Sequence, residues 1–157
     1  MKTDDPKKKP DKDAPQKEAL REALDEYAAQ HDTDVFIHCG PISYEYGKDF
    51  VTTVLTRRPK RPNVTVLLST FGGDAHSAAR MARVLRAHYE KVVVLVVGMC
   101  KSAGTLVVLA ADEIAFTPWG ELGPLDLQVN KPDEIAYSAS GLDTFREETR
   151  AWLEANC

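Results

Sequence analysis

"KVVVLVVGMCKSAGTLVVLAADEIAF" (residues 91–116) reads as a strand, a helix and a second strand in succession. Its opening run, Lys91 to Gly98, is nearly all apolar and rich in valine, which is the composition of a strand covered on both faces. Residues 102–111, "SAGTLVVLAA", have the length and small-residue content of a buried helix, although residue type alone also allows a strand. "DEIAFT" (112–117) follows as a short strand. Strand, crossover helix and strand form the repeating unit of an α/β domain with a mainly parallel sheet and right-handed connections.

The same alternation continues toward the N-terminus. "NVTVLLST" (63–70) is a β-branched strand, and "DAHSAARMARVLRAHY" (74–89) is an amphipathic helix. In that helix Ala78, Ala82, Leu85 and Tyr89 face one side, with Arg80, Arg83 and Arg86 largely off it. "DVFIHC" (34–39) is a further strand, and "SYEYGKDFVTTVLTRR" (43–58) a helix. "QKEALREALDEYAAQH" (16–31) is strongly helix-forming, with Leu20, Leu24 and Tyr27 on one stripe. Beyond the central unit come "ELGPLDLQVNKP" and a last helix, "GLDTFREETRAWLEAN" (141–156). Residues 1–15 hold Lys, Asp and Pro with almost nothing to bury and read as a disordered, solvated tail, so residues 16–157 form one domain.

Composition narrows the function. The 157 residues are 43% hydrophobic and 28% charged, which suits a packed soluble domain. A net charge of −4 implies no general affinity for nucleic acid or an acidic membrane. The longest apolar run, "VVVLVVGMC", falls far short of the roughly 18–20 residues of a membrane span, and the N-terminus lacks the apolar core of a secretory signal. Cys39, Cys100 and Cys157 are too few and scattered for a disulfide framework or a metal site. A cytoplasmic protein without metal or cofactor is the expectation.

In open α/β sheets ligands bind at the carboxyl ends of the strands. Two such ends carry unusual residues. In "STFGGDAHSA" a strand runs through Gly72-Gly73 into a helix with Asp74 as N-cap. Paired glycines permit positive φ and uncover backbone N–H groups, which suits a phosphate or a developing oxyanion as well as a plain tight turn. In "MCKSAGTL" Ser102 stands at the sharp strand-to-helix turn, where Ala103 and Gly104 leave room for a substrate carbonyl. That resembles the physics of a nucleophile elbow without the G-x-S-x-G pentapeptide; the other reading makes Ser102 an N-cap. Together the two turns supply the parts of acyl transfer, a hydroxyl nucleophile and an oxyanion hole.

"STFGGDAHSAARMARVLR", "MCKSAGTLVVLAADEIAF" and "GELGPLDLQV", in that order, resemble the Clp-protease/crotonase fold superfamily, and within it the serine dehydrogenase proteinase family, near the signal peptide peptidase group. The resemblance covers roughly residues 34 to 130. It implies a ββα spiral and a homo-oligomer that cuts peptides. It makes Ser102 the nucleophile, the N–H groups of Gly73 and Ala103 the oxyanion hole, and "ELGPLDLQ" (121–128) the loop lining the site; Gly72, Gly104, His76 and Asp126 are read as candidate lining residues beside it, Asp126 as a polar partner. Phe71 replaces the proline that the family favours before the two glycines, and Leu127 the second proline of its D-P-Q element. The resemblance also implies that related domains continue past the point where this chain stops.

The base is harder to place. Clp-type proteases use a histidine after the serine, but His31, His38, His76 and His88 all precede Ser102. The family's other solution is a desolvated lysine, and Lys131 is the sole lysine downstream. Lys101 adjoins the serine but points elsewhere; His76 and His38 are further candidates near the cleft. Cys100 reads as a small buried hydrophobe. Three functions follow: a serine endopeptidase, an inactive assembly module of the same fold, or an acyl-CoA enzyme with Glu121 as its acid. A Rossmann domain falls away, because neither G-x-G-x-x-G nor a Walker lysine is present.

Overall fold

Alternate residues of the strands divide cleanly by burial, and that alternation sets the layers. In the computed structural model, which describes residues 14–125, the elements run α1 Ala14–Gln30, β1 Thr33–Cys39, α2 Tyr44–Thr56, β2 Asn63–Thr70, α3 Ala75–His88, β3 Lys91–Cys100, α4 Ala103–Val108, β4 Glu113–Phe116 and β5 Glu121–Leu122. The sheet order is β1-β2-β3-β4, every pairing is parallel, and β5 joins β3 beyond the end of β4. Phe36, Val66 and Val94 stand in register on one face, and Phe50, Val54, Met81, Leu85, Val107 and Val108 of the helices complete the buried cluster with them. Fully burying a Val or Leu is worth about 1.5–3 kcal/mol, so this layer dominates stability.

The sequence expectation fails on the other face of β3. Val92, Val94 and Val96 are sealed, but Val93 and Leu95 are half-buried and Val97 and Met99 exposed. Among the described residues only α1 lies on that side, against the β1–β2 end, where Tyr27 Oη meets Thr65 Oγ1 at 3.5 Å. An all-valine strand packs equally well on either side, so composition cannot say which side is left open. α4 is shorter than expected: it ends in tight turns, with Ala110 N donating to Val107 O and Ala111 N to Val108 O. On α3 the buried stripe is Ser77, Ala78, Met81, Val84 and Leu85, with Ala82 only half-buried.

Tyr89 lies just past α3 as its C-cap, where its backbone N–H meets Leu85 O. Its hydroxyl donates to Asp34 Oδ2 at 2.9 Å, and Asp34, 1% exposed, also accepts from Arg57 Nε at 3.1 Å and Arg61 N at 3.3 Å. Desolvation, then the Asp34 hydrogen bond, push the phenol's pKa above its ordinary value. A buried carboxylate is tolerated only with such partners. These polar groups close the N-terminal end of the sheet and leave its carboxyl end for chemistry.

Candidate active site

A local irregularity brings the two turns together. Leu68 pairs with Val96, yet Thr70 pairs with Cys100, so β3 carries four steps where β2 carries two. The bulge sets Lys101 and Ser102 beside Phe71 and Gly72: Lys101 N donates to Thr70 O at 3.0 Å, and Gly72 N to Thr70 Oγ1 at 3.0 Å. Gly72 has φ +98 and Gly73 φ +138, values that disfavour any side chain. A Cβ on Gly72 would stand 2.9 Å from Ser102 Cβ and 3.1 Å from the Ala103 nitrogen, so the diglycine turn and the serine turn touch.

Ile42 braces the turn from the other side. Its N–H donates to Gly72 O at 2.8 Å, and its carbonyl accepts from Asp74 N at 2.7 Å. A trans peptide places N–H opposite C=O, so the Gly73 N–H points away from Ile42. Asp74 then caps α3, accepting from Ser77 Oγ at 2.5 Å, Ser77 N at 2.9 Å and His76 N at 3.3 Å. The Ser77 hydroxyl bond is the main reason its carboxyl pKa lies below the usual value.

Ser102 has φ +48 and ψ −119, a conformation that a residue with a Cβ adopts at a cost of about 1–3 kcal/mol. Ser102 holds the N-cap position of α4, but its hydroxyl makes no capping hydrogen bond, so capping does not account for the side chain. The backbone is held from both sides: Ser102 N donates to Pro124 O at 3.2 Å and Ser102 O accepts from Thr105 N at 2.8 Å. Ala103, 2% exposed, opens α4. Neither its N–H nor that of Gly73 has an acceptor among the described residues. Gly104 lets α4 lie on Thr70 and Cys100; a Cβ there would run into Thr70 Cγ2 and stand 2.9 Å from Cys100 Sγ.

The other candidates separate. Lys101 Nζ pairs with Glu121 at 2.7 Å, which occupies both the lysine and the proposed acid. Cys100 is fully buried, and burial pushes its thiol up to about 11, so it stays protonated at neutral pH. His76 is exposed, with its backbone N–H engaged at the Asp74 cap. Lys131 and Asp126 lie outside the described residues. Sequence reasoning missed Ile42 and Thr70, which act through backbone or a short hydroxyl contact and carry no chemical signature of their own; Pro124 falls in the loop it read as lining the site.

His38 lies at the carboxyl end of β1, 9% exposed, edge-on to Phe50 with 6.4 Å between ring centroids, and its Nε2 has no hydrogen-bond partner among the described residues. Burial holds its pKa below the ordinary histidine value, and the Gly40 and Pro41 carbonyls pull more weakly the other way. The fold therefore prefers the neutral ring. That preference is fully expressed above the unfolded pKa of about 6.5 and is lost as pH falls through and below it. The urea midpoint of the native chain should drop further between pH 7.5 and pH 5.5 than that of His38→Gln. Equal drops would remove the histidine from the acid response.

The comparisons bear on this geometry. Residues 42–143 match a family described as ClpP-like SDH-type serine proteinases. Two uncharacterised proteins of Methanocaldococcus jannaschii are 36% and 32% identical over 73 residues, 46% of this chain. Those stretches are 26% and 25% of the relatives, so the chain spans about a quarter of the length of the curated relatives it matches. A mutant of a membrane-bound stomatin-specific protease superposes with a TM-score of 0.59 at 18% identity, over 73% of this chain and 57% of that one. A second mutant of that protease, in complex with a substrate peptide, superposes with the same TM-score over 54% of its own length. At such identity the likeness is one of fold alone, an α/β domain on a parallel sheet. Among the described residues no helix is long and apolar enough to cross a membrane.

Proposed function

Because the chain belongs to the ClpP-like SDH-type serine proteinases, whose pattern spans residues 42–143, we propose that it hydrolyses peptide bonds through an acyl-enzyme at Ser102. The observation that carries this reading is the strained, uncapped serine, whose following N–H stands against the diglycine turn. Ser102 Oγ attacks the scissile carbonyl carbon and gives its proton to a base. The oxyanion takes hydrogen bonds from the Gly73 and Ala103 N–H groups, free of other acceptors among the described residues. Collapse breaks the C–N bond as the amine leaves with that proton, and water then hydrolyses the ester.

Lys131 is the base in this scheme, entering as the neutral amine, with Gly72, Gly104, His76 and Asp126 lining the substrate. The substrate is a peptide or protein, and the working unit is a homo-oligomer. Lys101 is committed to Glu121, which supports looking downstream for the base. A fluorophosphonate probe tests the proposal: the purified chain should gain one adduct, on the tryptic peptide holding Ser102. A folded chain that takes no adduct would instead be a non-catalytic assembly module.

A further inference from the structure

The winding of the sheet leaves one position unfilled. α2, α3 and α4 each follow a strand and share one face, with α2 packed on α3 and α3 on α4. Successive right-handed crossovers advance such a row by one strand each. β4 is the last strand of that row, and register puts Ile114 beside Val94 and Phe116 beside Val96, on the helix-covered face. Val94 and Val96 are 0% exposed, but Ile114 is 45% and Phe116 50% exposed. No described element covers these two side chains, and among the described residues β4 is also an unpaired edge, an arrangement that proteins ordinarily protect.

We infer that residues 141–156 of this same chain dock across β4 beside α4, burying Ile114 and Phe116. Three observations select this occupant. The chain runs past this edge before it leaves the described residues: β5 pairs with Met99 and Cys100 on the side of β3 where β4 pairs with Val93 to Val96, and Gly123 O and Pro124 O then accept from Thr105 Oγ1 and Ser102 N at the start of α4. In the segment Leu142, Phe145, Trp152 and Leu153 fall on one helical stripe, with Asp143, Glu147 and Glu154 opposite. As a helix it is about 24 Å long, enough to cross a four-residue strand of about 13 Å.

Trp119 and Trp152 are the only tryptophans, so Trp119→Phe leaves Trp152 as sole reporter. Its emission should be blue-shifted, and acrylamide should quench it several-fold less than in the free peptide 141–157. Adding Phe116→Glu should restore solvent-like emission and quenching, with the circular dichroism of the parent retained. Arg83→Glu, in the groove between α3 and α4, should leave Trp152 shielded. Solvent-like emission in the parent would overturn the inference, as would shielding that survives Phe116→Glu or yields to Arg83→Glu. Shielding lost on dilution would assign the patch to a second copy and overturn it equally.

Discussion

Ser102→Ala should abolish fluorophosphonate labelling and leave unfolding stability within about 0.5 kcal/mol of the native chain, the range of substitutions away from structural features. Both halves follow from the same geometry. The hydroxyl makes no capping hydrogen bond, so its removal takes nothing from the fold. It is also the sole group that the scheme offers for phosphonylation. A serine whose hydroxyl caps its helix behaves the other way: its loss costs about 0.5–2 kcal/mol and touches no chemistry. Ser102→Gly separates the effects further, because glycine tolerates φ +48 without the side-chain clash. That variant should also refuse the probe yet gain up to about 1 kcal/mol, after the entropic cost of glycine offsets part of the relieved strain. Urea titration and intact-mass labelling of the three proteins decide it. Retained labelling in Ser102→Ala would remove this serine from the chemistry.

Much of this arrangement is legible in the sequence, and what is not has identifiable causes. The three long strands, β1, β2 and β3, declare themselves through β-branched residues, and the diglycine and Ser-Ala-Gly turns through residues that only special backbone geometry favours. The contact between those turns is not legible. It depends on the bulge between Val96 and Cys100, and "VGMC" holds no residue that forces one. Nor does composition place α1, which lies on the opposite face from the other helices and leaves Val97 and Met99 open. The Lys101–Glu121 pair depends on β5, a two-residue strand too short to show a period. His38 is visible as a histidine at a strand end, but its orphaned Nε2 emerges only from packing against Phe50. Lys131, read as the base from chain order alone, lies outside the described residues. Glycine and serine chemistry is local and readable, whereas long-range pairing decides what those groups meet.

Gly72→Ala tests that meeting directly and should slow probe labelling by about 10²–10³-fold, the scale of losing one oxyanion donor. The added methyl would stand 2.8 Å from Lys101 O, 2.9 Å from Ser102 Cβ and 3.1 Å from Ala103 N, closer than side-chain carbons approach. Either the diglycine turn retreats or the serine turn does, and both movements separate the hydroxyl from the Gly73 N–H. Backbone strain alone cannot account for such a loss if Gly40→Ala is measured beside it. Gly40 has φ +128, yet a Cβ there meets nothing within 4 Å. The Gly40 alanine should therefore destabilise the chain by roughly 1–2 kcal/mol through left-handed backbone strain alone, and the Gly72 alanine by more, because its methyl also displaces a neighbour. The Gly40 variant should keep near-native labelling, and the Gly72 variant should lose it while still folded by circular dichroism. Equal labelling rates in the two variants would mean that the diglycine turn merely reverses the chain, and the oxyanion hole would have to be sought elsewhere along the carboxyl edge of the sheet.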